Sequence, residues 1–326
     1  MSRGARSHGA IRRLLAAAVV LGAVAGVTGC GTHADGWGSG EITIAGGGAD
    51  GVYFTYGTRL AEELSDRFDL DVTAAQTAGS VDNILRVASG EALLGFAQGD
   101  AAADAVAGVG AFSDALPVEA VARLYDEYLH VVVREDSDID ELADLAGRTV
   151  SLGAENSGVN VIASRVLAAA DVDVTSIADP QLDLAASIQA LEDSAIDGFF
   201  WVGGIPTPGI ADLALTTPVR LLPIEQGWVG DVNERFSHAY RPADLPVGLY
   251  GLEQSEPTLA VPNYLVTADD TPDGVVRDVL EGLFDARTRI AHDVPLAALL
   301  DRTQAIFTGP VPLHPGAIDY FRDQRD

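Results

Sequence analysis

Residues 41–54 read EITIAGGGADGVYF, and this run predicts a strand over Glu41–Ala45, a glycine-rich turn and the start of a helix. The helix should extend over Tyr53–Phe68, because apolar residues recur there at the spacing of one helical face. A strand over Leu70–Gln76, another helix and an apolar strand over Leu93–Gln98 follow. The order β-α-β-α-β predicts an α/β layered fold with parallel strands.

The second half of the chain repeats this alternation. The sequence predicts strands at Leu129–Arg134, 149–153, 197–202 and Thr258–Thr267, and helices at Ser157–Ala170, 274–291 and 317–322. We therefore expect two α/β lobes joined by two crossing strands that act as a hinge, with a ligand cleft between the lobes. Lobe one would comprise residues 41–128 plus 259–326, and lobe two residues 129–258.

The first 29 residues have the layout of a signal peptide. Four arginines precede an apolar run over Leu14–Val27, and residues 27–30 read VTGC. The run is shorter than the ~18 to 20 residues needed to cross a bilayer, and VTGC resembles the lipobox of bacterial lipoproteins. These features predict an exported protein with a lipidated Cys30, a tether over residues 30–40 and a place at the outer face of the cell membrane.

Charge and cysteine content exclude several classes of function. The chain has 326 residues, of which 48 are acidic and 20 basic, and it contains no lysine. Nucleic acid is a very poor partner for a net charge of −28, because its phosphates need a cationic surface. Cys30 is the single cysteine, so no internal disulfide can form and no zinc site of the usual cysteine spacing is expected.

The glycine-rich turn contains a G-x-G-x-x-G pattern at residues 46–51. In dinucleotide-binding folds this pattern is accompanied by an acid at the end of the second strand, which holds the ribose. Here that strand ends in QTAGS at residues 76–80, and Asp69 and Asp71 stand at its beginning. We therefore expect no nucleotide cofactor.

Three turns instead place helix N-termini at one edge of the predicted sheet: Gly48–Tyr53, Gly79–Asn83 and Asn156–Gly158. Ligands of open α/β sheets bind beyond the carboxyl ends of the strands, where such N-termini meet. Ser80 and Ser157 would either bind a ligand carboxylate or cap their helices.

A series of motifs in this order resembles the TAXI-type solute receptors of TRAP transporters. The motifs are GG-x-x-GVYF at residues 47–54, AGSVDN at 78–83, ASGEA at 88–92 with LGFAQ at 94–98, VSLGAENSG at 150–158, DGFFWVGGIPT at 197–207 and PLHPGAI at 312–318. The resemblance implies a two-lobed, type II-like periplasmic-binding fold. It also implies capture of an amino acid or small organic acid for the membrane subunits of a TRAP permease.

Site residues follow from the resemblance by position. From lobe one it implies Gly48, Tyr53, Gly79, Ser80, Asn83 and Gln98; from lobe two it implies Asn156, Ser157 and Gly158, with a wall of Phe200, Trp201 and Pro206. Val159 departs from the threonine usual in this pattern, and Glu155 and Asp50 add negative charge. These departures weaken the case for an acidic amino acid as the ligand.

Two alternatives stay open at this point. The same fold could serve an ABC permease or a sensor kinase, or the chain could be an exported hydrolase with an unmarked triad. No G-x-S-x-G motif accompanies a histidine, and His130 and His314 suit structural positions in an apolar strand and a turn. We therefore expect a binding protein with no catalytic residues.

Replacing the lipobox cysteine tests the predicted anchor. We expect Cys30→Ala to leave the precursor unprocessed by lipoprotein signal peptidase, because the lipidated thiol is the group that this peptidase recognises. The measurement is the mass of the protein in the membrane fraction, and acylation of the variant to the wild-type extent would contradict the prediction.

Overall fold

The computed structural model describes residues 36–324 except 38, 39, 50 and 237. The predicted signal peptide, Cys30, most of the tether and Asp50 lie outside the described residues. Near the start of the described residues, Trp37 packs on the first lobe. Its indole Nε1 donates to Asp278 Oδ2 at 2.9 Å, and its ring centre lies 5.6 Å from that of Phe68.

The first lobe begins with the alternation that the sequence predicts. Its elements are β1 (Ile42–Ala45), α1 (Val52–Phe68), β2 (Val72–Ala75), α2 (Ser80–Ala88), β3 (Leu94–Gln98) and α3 (Gly99–Ala107). β1 pairs in parallel with β2 and with β3. The sequence analysis missed α3, because its apolar residues are almost all alanines and no turn separates it from β3.

Two long antiparallel strands connect the lobes, β4 (Val118–Arg134) and β9 (Glu256–Ala268). The sheet runs in the order β2-β1-β3-β9-β4, followed by β6 (Gly198–Gly203) and β5 (Val150–Ser151). The two connecting strands therefore stand at its centre. β4 begins at Val118 and not at the predicted Leu129. Charged residues interrupt its first half at irregular intervals, so this half lacks the strict alternation that predicts a strand. The two crossing strands are thus present, and the proposed lobe limits fall inside them.

The second lobe contains β5 (Val150–Ser151), α4 (Gly158–Ala169), α5 (Leu184–Glu192), β6 (Gly198–Gly203), α6 (Pro208–Thr216), β7 (Val219–Leu221), α7 (Gln226–Arg235) and β8 (Arg241–Leu245). The chain returns along β9 to α8 (Asp273–Asp293) and α9 (Pro315–Asp323), which pack on the first lobe. The short acidic segment before β5 forms a 3-10 helix over Leu142–Leu145.

Each lobe has its own apolar core. Tyr56, Leu60 and Phe96 pack between α1, α8 and the sheet in lobe one, and Ile162, Val166 and Val131 pack between α4 and the sheet in lobe two. Full burial of one such side chain contributes about 1.5–3 kcal/mol. Separate cores let the lobes behave as two bodies that share only the crossing strands and the surfaces that meet beside the cleft.

One of those surfaces holds a buried group of charges, which we call the inter-lobe ion cluster: Arg165 of α4 with Asp100 and Asp104 of α3, and Tyr240. Arg165 Nη1 lies 3.4 Å from Asp100 Oδ2 and donates to the Tyr240 hydroxyl at 3.1 Å, and Nη2 contacts Asp104. Burial raises the pKa of Asp104 to about 6, although Arg165 opposes the shift. The positive charge of Arg165 in lobe two thus offsets the negative charge of Asp100 and Asp104 in lobe one when the lobes are in contact.

Removing the arginine should leave both acids buried without a cation, although Tyr240 still donates to Asp100. We expect Arg165→Met to lower the free energy of unfolding at pH 8 by up to about 3–5 kcal/mol. Without Arg165 the carboxyl pKa values rise further, so folding binds protons and the loss should shrink as the pH falls to 5. Thermal melting at the two pH values measures both effects.

The matched control is Arg277→Met, which breaks the exposed Arg277–Asp323 pair of 2.7 Å. Exposed pairs contribute about 0–1 kcal/mol, so this variant should melt close to the wild type. Equal losses for the two variants at pH 8 would contradict the role given to the inter-lobe ion cluster.

Candidate functional site

A cavity of about 190 Å³ lies between the lobes, at the carboxyl ends of β1 and β3. It is smaller than the ~300–1,000 Å³ of pockets for drug-sized ligands, so it suits a small molecule. Nine of the twelve predicted site residues line it: Gly48, Tyr53, Gly79, Ser80, Gln98, Ser157, Gly158, Phe200 and Trp201.

The N-termini of α2 and α4 meet across the cleft. The amide N–H of Asp82 in α2 donates to the Asn156 carbonyl just ahead of α4 at 3.3 Å. A Cβ atom at Gly158 would overlap Gln98 Oε1 and lie 2.8 Å from Ser80 Oγ. A Cβ at Gly79, where φ is +126°, would come within 3.5 Å of Ser157. The lack of a side chain at Gly158 therefore permits the close contact between the lobes, whereas Gly79 is required for its positive φ.

In the structure both serine hydroxyls accept a hydrogen bond from a backbone amide, but only Ser157 caps a helix. Ser157 Oγ accepts from the Asn160 amide at 3.1 Å, so Ser157 caps α4. Ser80 Oγ accepts from the backbone amide of Gln98 at 3.1 Å, which links the start of α2 to the end of β3. Each hydroxyl also has one hydrogen to donate, and both side chains line the cavity.

Polar side chains of four elements meet at one end of the cavity. Gln98 Nε2 donates to Glu127 Oε2 at 3.1 Å, and the Tyr53 hydroxyl donates to Asn263 Oδ1 and lies 3.5 Å from the same Glu127 oxygen. Glu127 is 4% exposed, and burial raises its pKa to about 8, although the hydrogen bond from Gln98 lowers it. A carboxyl that is protonated near neutral pH thus faces the cavity.

The sequence analysis missed Glu127 and Asn263. Both lie on the crossing strands, and Glu127 precedes the position where β4 was thought to begin. A signal was present: residues 118–134 read VEAVARLYDEYLHVVVR, in which acids interrupt an apolar run. Acids are almost never buried unless they have a partner or a function.

Three predicted residues lie outside the cavity lining. Asn83 is buried behind it, where its Nδ2 contacts the Gly46 carbonyl and donates to the Phe96 carbonyl at 2.7 Å. Asn156 has φ of 61° in the turn before α4, and Pro206 is an exposed residue after a cis peptide bond. Glu155 is exposed and also outside the lining.

Both histidines that were weighed as bases hold structural hydrogen bonds. His130 is fully buried, with Nδ1 2.9 Å from the Tyr128 carbonyl and Nε2 3.3 Å from the Tyr250 hydroxyl. Burial lowers its pKa to about 4. His314 Nδ1 accepts from the Gly316 amide at 3.1 Å and so caps α9.

In the part of the chain that the structure describes, no three His, Cys, Asp or Glu side chains are grouped so as to hold a metal ion. Within the same residues, every helix is too short or too polar to cross a membrane.

Two solved structures share the fold of this chain. The binding component of an ABC phosphonate transporter from Pseudomonas aeruginosa is 14% identical, with 78% of each chain covered and a TM-score of 0.53. PhnD1 from Prochlorococcus marinus, solved with methylphosphonate, is 11% identical over 87% of this chain and 96% of its own, also at 0.53. These likenesses confirm the two-lobed periplasmic-binding fold.

The sequence agrees with this result. The pattern of the NMT1-like family matches residues 44–324, which include both lobes and all the residues of the cavity. The relative from Pseudomonas aeruginosa is a binding protein, in agreement with the interpretation of the chain as a binding protein and not an enzyme. The chain belongs to the NMT1-like family.

Proposed function

We propose that the protein is a solute-binding receptor that captures a small polar ligand outside the cytoplasm and delivers it to a membrane permease. The observation that carries this proposal is the cavity enclosed between two lobes that share only two crossing strands and a set of closing contacts. Such a cavity opens and closes by a hinge motion, which is how two-domain receptors admit a ligand and then exclude water.

The helix N-termini explain why a ligand would favour the closed state. Each helix N-terminus carries roughly half a positive charge, and the N-termini of α2 and α4 approach each other when the lobes meet. The amides of Ser80, Val81, Gly158 and Val159 belong to the first turns, where no carbonyl of the same helix can accept from them. An anionic group between the two helices would satisfy these donors and offset the repulsion.

The other lining residues would shape the ligand. The Tyr53 hydroxyl is already bonded to Asn263, so Tyr53 would contact the ligand through its ring. Phe200 and Trp201 would form an apolar wall on lobe two. The main site residues would thus be Gly48, Tyr53, Gly79, Ser80 and Gln98 on one side and Ser157, Gly158, Phe200 and Trp201 on the other.

The partner would be a permease, and its type is the finer question. The relative from Pseudomonas aeruginosa is a component of an ABC transporter. This supports the alternative of an ABC permease over the TRAP permease that the motif resemblance implies. The lipidated Cys30 would keep the receptor near either permease.

A variant at Gly158 tests closure on a ligand. Gly158→Ala adds one methyl group that overlaps Gln98 only when the lobes are in contact. We screen amino acids, 2-oxo acids, dicarboxylates and phosphonates by thermal melting. A true ligand at about 100 times its Kd should stabilise the wild type by about 2.7 kcal/mol, and Gly158→Ala should lose most of that shift. Ser157 is less suitable, because its replacement also removes the cap of α4.

The matched control is Gly230→Ala in α7, where nothing lies within 4 Å of the added Cβ. This change should keep the full ligand shift and stabilise the helix by about 0.5–1 kcal/mol. A ligand shift that is the same in both variants would refute closure at Gly158, and a screen in which no compound raises the melting point would refute the receptor function.

A further inference from the structure

The inter-lobe ion cluster joins the two lobes outside the cavity. Its acids, Asp100 and Asp104, belong to α3 in lobe one, whereas Arg165 and Tyr240 belong to lobe two. None of these four described residues lines the cavity. The cluster can therefore act on the position of the lobes without touching a ligand.

Three contacts of the cluster cross from one lobe to the other. Arg165 Nη1 lies 3.4 Å from Asp100 Oδ2, and Nη2 contacts Asp104. The Tyr240 hydroxyl donates to Asp100 Oδ2 at 2.5 Å. All four residues are at most 6% exposed. A hinge motion that parts α3 from α4 therefore breaks the three contacts together and brings water to every charged group of the cluster.

Lobe two holds the arginine in position by its own contacts. Arg165 Nη1 donates to the Tyr240 hydroxyl at 3.1 Å, and the guanidinium carbon lies 5.1 Å from the ring centre of Phe236, just after α7. The Asn233 side chain donates to the Tyr240 carbonyl at 2.9 Å and accepts from the Tyr240 amide at 3.1 Å. The guanidinium is thus oriented within lobe two, which reduces the entropy that contact with lobe one costs.

The two facing helices match in the spacing of their side chains. Asp100 and Asp104 are one turn apart on α3, and Val161 and Arg165 are one turn apart on α4. Residues at this spacing project from one side of a helix. Val161 packs against the apolar core of lobe one to which the buried alanines of α3 belong. α4 thus presents an apolar side chain and a cation to lobe one.

We infer that the inter-lobe ion cluster is a latch that holds the two lobes closed when no ligand fills the cavity. In the closed state Arg165 offsets the two acids, whereas closure without a cation would bury both carboxyl groups at a high cost. One guanidinium compensates two carboxyl groups only in part, so the lobes can still part to admit a ligand. The inference goes beyond the proposed function, because it concerns the closed state itself.

A latch outside the cavity has a defined effect on binding. It lowers the free energy that a ligand has to supply in order to close the lobes, because part of the population is already in the closed state. The contribution is the same for every ligand, since no group of the latch contacts the cavity. Selectivity between ligands is left to the residues that line the cavity.

The experiment measures the distance between the lobes in the ligand-free protein. Cys30→Ser removes the single cysteine, and Leu85→Cys in α2 and Leu215→Cys in α6 place spin labels at exposed positions of the two lobes. Bound small molecules are removed by partial unfolding and dialysis. Pulsed electron spin resonance then gives the populations of the closed and open distances.

We expect a closed population in the ligand-free wild type. In Arg165→Met the ratio of closed to open protein should be at least about tenfold lower, because closure then buries the two acids without a cation. The matched control is Arg277→Met, which removes an arginine from the exposed Arg277–Asp323 pair within lobe one. This variant should keep the wild-type ratio.

Two further variants separate the latch from a general loss of stability. Asp104→Leu in addition to Arg165→Met should recover part of the closed population, because the acid that remains, Asp100, still accepts from Tyr240. Tyr240→Phe keeps all three charges and removes one contact between the lobes, so it should lower the ratio less than Arg165→Met. It provides the same test if Arg165→Met does not fold.

A ligand-free wild type without a closed population would overturn the inference. The same would follow if the ratio in Arg165→Met, or in Tyr240→Phe where that variant has to replace it, equalled the wild-type ratio. A double variant that is as open as Arg165→Met would also contradict the latch. None of these results bears on the receptor function, which the melting screen tests separately.

Discussion

The antiparallel pairing of β4 and β9 is the constraint on which the rest of the structure depends. These strands pair from Val118 with Ala268 to Tyr128 with Ala260. Each strand runs from the part of the sheet in one lobe into the part in the other lobe. Register shifts occur between Ala120 and Ala122 and between Arg123 and Asp126. Bulges bend and twist a strand locally, and here they lie just before Glu127. The same pairing that joins the lobes therefore also places Glu127 and Asn263 at the inner end of the cavity.

Contact between the lobes includes buried polar groups of one lobe that find hydrogen-bond or charge partners in the other. On one side, Arg165 enters a buried pair of acids and Tyr240 donates to Asp100 Oδ2 at 2.5 Å. On the other side, two helix N-termini approach each other beside a cavity at whose inner end Gln98 Oε1 and Asn263 Nδ2 have no partner among the described residues. Apolar contact alone would hold the lobes together without selectivity. Polar groups that are satisfied only in one arrangement make the closed state depend on geometry and on what fills the cavity.

The sequence predicted the helices and strands whose signals lie within a short run of consecutive residues. Helical spacing and glycine-rich turns identified α1, α2 and α4, and the motifs placed nine of the twelve expected residues in the cavity lining. Glu127 and the inter-lobe ion cluster were missed for a physical reason. Asp100 and Arg165 are 65 positions apart, and nothing in either neighbourhood shows that the other will lie beside it. Asn83 and Asn156 belong to motifs next to the cavity, but the Asn83 side chain bonds backbone carbonyls behind it, and the Asn156 carbonyl accepts from the Asp82 amide across the cleft.

Trp37 has a consequence for how the two lobes move. Its indole is only 7% exposed and is held by Asp278 of α8 and Phe68 of α1, both of which are part of lobe one. Any force on the chain ahead of Trp37 is therefore transmitted to lobe one before it reaches the crossing strands. If that end is held at a surface, lobe one becomes the stationary part, and opening of the cleft is a rotation of lobe two away from it. A partner that responds to ligand capture would then have to detect the change in orientation of lobe two.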